Sequence, residues 1–451
     1  MDKPTQSPLT FTNKMLIAMI VPAILNDLLG RMVGIVDSVM VSSVGEVAVS
    51  AVSLTNSLYL VFSHMISAFA VGAGVLFAQY LGSRDQEKGE STVKHSFWLA
   101  LYFALAVALT VIPLAGPLMW LFFPGVSPDI WESGVLCLQM YIGSLPFYAI
   151  EQICIYIFIS MGKNKQVLYI NLGKNFANIA GNALFIYGFR WGLFGALLST
   201  LLSHAIFCVL AVCLLHNKEL PLHFTKLLPP RLNKEQTRLI FKVSSVTIVE
   251  RALFQAGNLL CSSMTAGFSA AEIAANSVSR DLVSLGWFVG FAFATTLSSV
   301  VGRCIGADQP KQAKFYTKRL VLAGFGVTTV VFTLIFLFRQ PMVSMYDLAG
   351  STKALSADYV GLGCLLTVFG GHAIVVTFSS AFRAAGDLRF VTTTALASMF
   401  LCQVSLSYIF VFAFDLGVTG IWLGLGADWL GRSILYTVHF CRGKWLAKKV
   451  I

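Results

Sequence analysis

LVLAGFGVTTVVFTLIFLF, residues 320–338, contains no Asp, Glu, Lys or Arg, and Arg319 and Arg339 close it at either end. An α-helix needs about 20 apolar residues to cross the roughly 30 Å of hydrocarbon in a bilayer. This stretch has that length. Residues 96–128 and 390–414 are equally free of charge. With no water in the bilayer core, backbone groups must be paired internally, so spans are helices or closed barrels. The apolar–polar alternation of barrel strands is absent, so these stretches read as membrane-spanning helices.

Composition agrees. The 451 residues are 57% hydrophobic and 12% charged, against about 25% charged in soluble domains. Mean hydropathy is +0.76. A soluble fold of this size lacks the polar side chains to cover itself. Met1 to Lys14 is polar, and the first apolar run reaches Met40. That is too long for the apolar core of a signal peptide and reads as a retained first span. The nine Cys form no C-x-x-C pair and no metal-like spacing with His; they read as small hydrophobes inside helices.

Working outward along the chain gives twelve spans: 16–42, 54–80, 95–123, 133–160, 166–189, 192–215, 239–265, 280–302, 317–340, 356–382, 390–413 and 417–440. The expected organisation is an N-terminal six-helix bundle (1–216), a polar linker (217–238) and a C-terminal six-helix bundle (239–451). Termini and alternate connections hold 24 of the 32 Lys and Arg; the other side has Arg190, Arg280, Arg339 and Lys353. Positive loops stay cytoplasmic, so both termini and the linker are expected there. The +11 net charge is thus a topology signal and not a nucleic-acid patch.

The halves repeat. MVSSVGEVAVSAVSL (40–54) parallels MTAGFSAAEIAANSVS (264–279), and LFAQYLGSRDQEKGE (76–90) parallels SVVGRCIGADQPKQA (299–313). ISMGKNK (159–165) parallels RAAGDLR (383–389), and YGFRWGLFGALL (187–198) parallels FAFDLGVTGIWL (412–423). The order is kept throughout. An even number of spans per half gives both halves one orientation, as in parallel-repeat transporters.

Ionisable groups inside spans are costly and read as functional by default. They are Asp27, Arg31, Asp37, Glu151, Lys174, His204, Glu250, Arg251, His372, Asp428 and Arg432. Asp27/Arg31 and Asp428/Arg432 are i, i+4 pairs, which suits internal neutralisation in lipid. Lys174 and Glu151 lie in spans able to face each other. Asp37, with little positive charge near it in sequence, is the leading site for exchanging a proton or a cation. The bland alternative is a carboxylate bonded in a fixed helix contact. Glu250 offers two oxygens to a hard cation such as Na+, or an ion pair at an interface. His372 titrates near neutral pH in its ordinary state, or is a hydrogen-bonded packing residue beside the glycines Gly370 and Gly371.

The first span, PAILNDLLGRMVGIVDSVMVSSVG (22–45), resembles the opening helix of the multidrug and toxic compound extrusion (MATE) family, with Pro22 and Asp37 fifteen residues apart in a Val-Asp-Ser setting. GVLFAQYLGSRDQEK and NIAGNALFIYGFRWGLFGALLST are similar to that family's second-span loop and its fifth and sixth spans. The likeness runs from about 15 to 440. It implies an all-α polytopic membrane protein, twelve transmembrane helices in two pseudo-symmetric bundles around a central cleft, with Pro22 as a hinge. It further implies a monomeric, cation-coupled antiporter that exports amphipathic organic cations for Na+ or H+, without a cofactor, from the plasma (inner) membrane. Asn178, Asn182 and Thr200 are then expected beside Asp37, and Na+ at Asp37 or Glu250. Two positions depart from the family: Asn182 stands where many members carry Asp, and His372 where bacterial members often do. Both leave the coupling ion open.

Rival functions have weaker support. A lipid or lipid-linked-saccharide flippase of the same superfamily shares the architecture; the acidic Asp37 and Glu250 favour drug export. No H-x-x-x-x-D arrangement and no G-x-x-x-x-G-K-[ST] loop occurs, which disfavours an intramembrane acyltransferase and direct ATP hydrolysis. A channel or receptor leaves the internal duplication without a use.

Overall fold

A computed structural model describes residues 10–217, 219–221, 233–265, 268–346 and 348–450. Most of the polar linker and the first nine residues lie outside the described residues. Among the described residues there is no strand. The helices of the first half are α1 (Asn13–Ser42), α2 (Glu46–Ser83), α3 (Gln86–Val111), α4 (Ala115–Phe122), α5 (Pro128–Ser160), α6 (Asn164–Asn182) and α7 (Gly192–Leu215). The second half has α8 (Lys234–Met264), α9 (Ala270–Gly306), α10 (Pro310–Leu337), α11 (Arg339–Ser344), α12 (Gly350–Phe369), α13 (His372–Ala385), α14 (Leu388–Ser398), α15 (Ser405–Tyr408) and α16 (Gly417–Arg442).

All twelve expected spans fall on this helical series. The third is broken near Pro113, between α3 and α4, as a proline inside a helix dictates. The tenth bends by 45° between α12 and α13, where Gly371 takes a left-handed φ of 71° that costs glycine little. Eight helices are long and apolar enough to cross a membrane by composition alone, and the bent pair is a ninth. The three rods below that threshold are α6, α8 and α16. They carry Lys174, Glu250 and the Asp428/Arg432 pair, which lowers their hydropathy.

The repeat is written into the backbone. Left-handed residues recur in matching places: Arg84 and Asp308, Gly162 and Gly386, Arg190 and Asp415, Gly192 and Gly417. The fifth span of each half ends in a π-helical segment, Ala183–Gly188 and Ile409–Ala413. A Cβ on Gly195 would lie 2.8 Å from Phe185 Cβ, and one on Gly420 2.9 Å from Phe410 Cβ. Small residues let helices approach closely where apolar lipid provides no hydrophobic drive for association.

Two compact units emerge, cut differently from the bundles expected from the sequence. One comprises Leu25–Ile248; the other comprises Met1–Ile24 with Val249–Ile451. The cuts fall inside α1 and α8, and not in the linker. Tertiary contacts explain the first cut: Phe11, Leu16, Met19 and Ile20 belong to the core formed by Val289, Leu297, Val300, Phe382 and Trp445. Tyr316 Oη accepts from Phe11 N at 2.7 Å, and Arg319 donates to Asn13 Oδ1 at 2.6 Å. A second apolar cluster in the same unit gathers Val283, Phe332, Ala357, Val360 and Trp422.

Candidate functional site

Within the Leu25–Ile248 unit, α6 presents a run of polar side chains that α1, α5 and α7 answer. The run begins where Asn171 Nδ2 donates to Asn26 Oδ1 at 2.7 Å, and ends where Asn182 Nδ2 donates to Asp37 Oδ1 at 2.6 Å. Each bond joins residues 145 apart in the chain, so α1 and α6 run parallel in one register. The two bonds are eleven residues apart on each helix, which is close to three turns and about 16 Å, and this puts both on the same face.

Between them, Asn178 Nδ2 donates to Thr200 Oγ1 at 3.2 Å, and Ser199 Oγ donates to the Asn178 carbonyl at 2.8 Å. One turn back, Lys174 Nζ meets Glu151 Oε1 at 2.5 Å, and His204 Nδ1 meets Glu151 Oε2 at 2.9 Å. Glu151 is fully buried; Lys174 and His204 retain 17% and 13% side-chain exposure.

Asp37 is half-buried, and Asn182 is fully buried. Asn182 uses its amide nitrogen on the carboxylate, and its Oδ1 has no hydrogen-bond partner. A buried acceptor without a donor is costly. Here it lies on the same side chain that contacts a carboxylate, so an oxygen-seeking cation or a proton-bearing group meets both. Those oxygens suit a hard cation. Asp27, the neighbouring acid on α1, accepts from Asn26 at 3.2 Å.

In the other unit Glu250 and Asp428, like Glu151 in the first, have cationic partners. Glu250 Oε1 accepts from Arg383 Nη2, and Oε2 accepts from Thr392 Oγ1 at 2.6 Å. Both carboxylate oxygens are engaged, so an Na+ at Glu250 has to displace a guanidinium. Asp428 Oδ2 accepts from Arg432 Nη2, the internal pairing that the i, i+4 spacing suggests. The Arg432 guanidinium lies over the Phe254 ring at 5.3 Å. His372 opens α13 in an aromatic box, its ring 5.6 Å from Trp287, 5.8 Å from Phe291 and 5.1 Å from Trp429; its Nδ1 is without a partner. Pro22 lies buried inside α1, next to the cut at Ile24.

In the structure Asn182 bonds to Asp37, while Asn178 and Thr200 bond to each other one turn back along α6. The structure assigns Glu250 and His372 to separate clusters. Arg383 and Thr392 had no local signal: Arg383 reads in sequence as a loop charge at a span end, and Thr392 as an ordinary span residue. His204 joining Lys174 and Glu151 is likewise a tertiary fact. Among the described residues, no three His, Cys, Asp or Glu converge as metal ligands.

Comparisons with known proteins agree with this geometry. The profile of the MatE family matches residues 22–184 and again residues 247–409. The chain is 24% identical over 420 residues to YisQ of Bacillus subtilis, an uncharacterized transporter, covering 92% of this chain and 91% of that one. It is 23% identical to the probable multidrug resistance protein NorM of Thermotoga maritima, over 97% and 94% of the two chains. It is 21% identical to the multidrug resistance protein PmpM of Pseudomonas aeruginosa, over 95% and 91%. In fold, it superposes on a crystal structure of MATE in complex with MaL6 with a TM-score of 0.88, at 18% identity and 97% coverage of both chains. An outward-facing multidrug resistance MATE transporter gives 0.88 at the same identity. With the family profile laid twice along most of its length and each copy ending in the same backbone features, the chain belongs to the MatE family and is a polytopic membrane transporter.

Proposed function

We propose that the protein is a secondary exporter of amphipathic organic cations, exchanging each for inward Na+ or H+ at Asp37. One observation carries this reading: Asp37 is an acid inside a membrane span whose recorded partner is a neutral amide, with an unpaired oxygen beside it. A carboxylate in that setting accepts one small or bulky cation at a time. Exchange follows when two conformations bind the competitors with different affinities. One charge moving inward down 100 mV releases about 2.3 kcal/mol, enough for roughly a 50-fold gradient at tenfold per 1.4 kcal/mol. The names of NorM and PmpM point to drug-like cargo.

In this reading the protein works as a monomer in the cytoplasmic (inner) membrane with both termini inside. Asn178, Asn182 and Thr200 shape the ion site, and Pro22 is the hinge, since a proline removes one helical hydrogen bond and weakens the rod locally. Glu250 and His372 act as secondary groups that reach a cation only when their present contacts open. The test is transport by the purified chain in proteoliposomes loaded with ethidium, with Na+ and proton gradients imposed separately. Gradient-driven dye movement that disappears in Asp37→Asn supports the proposal. Movement of a fluorescent lipid, with ethidium left in place, would assign the protein to the flippase class.

A further inference from the structure

The Asp37 exchange makes no use of the second charged station on α6, the Glu151–Lys174–His204 cluster. Three helices build it: α5 supplies Glu151, α6 Lys174 and α7 His204. The carboxylate has no solvent exposure and spends one oxygen on each base. A structural ion pair needs only one base. Here a second base is added, an imidazole that can take up a further proton.

Aromatic rings and thiols adjoin the cluster. From α5, Tyr148 meets the His204 ring edge-on at 5.7 Å, and Tyr59 of α2 meets Tyr148 edge-on in turn at 6.5 Å. The thiols of Cys154 on α5 and Cys208 on α7 are near Glu151. Lys174 from α6 is the one other full charge recorded on Glu151.

The tautomer follows from chemistry. An ionised carboxylate only accepts hydrogen bonds, so His204 Nδ1 carries the hydrogen that faces Glu151. A further proton goes on Nε2. Without it, Glu151 and Lys174 balance; with it, the cluster is cationic. The station is also wired to the Asp37 site. His204 is one turn from Thr200 on α7, Lys174 one turn from Asn178 on α6, and Thr200 and Asn178 bond to each other. Asn182, the partner of Asp37, is eight residues beyond Lys174, about 12 Å along the helix. A unit charge at that distance, at an effective dielectric of about 20, changes the affinity of a second cation about tenfold.

We propose that His204, held by Glu151, is a proton-binding site whose occupancy opposes a cation at Asp37. Uptake of one proton from water at Nε2 turns imidazole into imidazolium and favours release of the organic cation; binding of that cation expels the proton. This deepens the exporter reading and rests on it.

The experiment uses the purified full chain in nanodiscs with ethidium as the probe. Binding is followed by fluorescence between pH 5.5 and 8.5, and proton release by an indicator dye in weak buffer. Wild type should bind about tenfold more weakly at the acid end and release protons on binding. His204→Gln should keep its affinity at pH 8.5, flatten the profile, and lose that release. Lys174→Gln removes a neighbouring positive charge and should move the profile to higher pH; it carries the test if His204→Gln fails to fold. Folded His204→Gln with wild-type profile and proton release overturns the proposal and leaves the exporter reading intact, and so does an unmoved profile in Lys174→Gln. Absence of ethidium binding in wild type at every pH overturns both.

Discussion

The two halves share a scaffold, and each holds an acid on basic partners, Glu151 in the first and Glu250 in the second; the contrast lies in Asp37. In the first, Asp37 is bonded by the Asn182 amide. In the second, Glu250 and Asp428 are each bonded by an arginine. The helix register is common to both: Asn26–Asn171 and Asp37–Asn182 are 145 apart, and so is the Asn258–Gln403 contact between the first and fifth spans of the second half. Laid on each other without gaps, the two family matches set Ser262 opposite Asp37 and Ser407 opposite Asn182. The two copies thus share the packing, and the second has no carboxylate at the position of Asp37. A buried acid matched to a guanidinium is held in place, because removing either partner strands a charge. An acid matched to an amide can change its cation without stranding anything. On the proposed function, this difference would separate a structural charge at Glu250 from an exchangeable one at Asp37.

That contrast can be broken most severely at Glu250. Glu250→Gln leaves Arg383 buried without its counter-charge and should cost about 3–5 kcal/mol of stability, read as a lower Tm in detergent. A second change, Arg383→Gln, should recover part of the loss in a double-mutant cycle; simple additivity would show that the pair is not coupled. Asp37→Asn should behave in the opposite way, with Tm within a few degrees of wild type. Gradient-driven ethidium efflux should fall by about tenfold to a hundredfold, the range of a coupling energy of 1–3 kcal/mol. Full transport by that variant removes the distinction between the halves.

Smaller effects sharpen the comparison. Gly195→Ala and Gly420→Ala each push a Cβ against a phenylalanine Cβ at 2.8 and 2.9 Å. Both should lose about 1–3 kcal/mol through overpacking, and near-equal Tm shifts would confirm that the two contacts are copies. Thr392→Val removes one of the hydrogen bonds to Glu250 and leaves Arg383 in place. About 1 kcal/mol should be lost, with efflux little changed.

Much of this was legible in the chain. Hydrophobic length and loop charge gave the twelve spans, because a bilayer imposes both on any sequence. The spans differ from the helices at the break near Pro113, at the bend at Gly371 and at the π-helical segments after Asn182 and Tyr408, and α2 and α9 begin well before the expected starts at 54 and 280. Asp37 stood out because an acid in hydrocarbon has few innocent explanations. Asn178, Asn182 and Thr200 came from family likeness, since neutral amides and hydroxyls carry no signal of their own.

What the sequence determined alone is therefore the membrane class, the duplication and the inventory of buried charge, all set by local composition and by the cost of polar groups in lipid. What the tertiary structure decided is the pairing. Arg383 is 133 residues from Glu250, and His204 is 53 from Glu151; no local pattern links such positions. The exchange of compact units inside α1 and α8 was hidden for the same reason. Which core a helix joins depends on the side chains that meet it in space, as Phe11 meets Tyr316, and these lie 305 residues away in the chain.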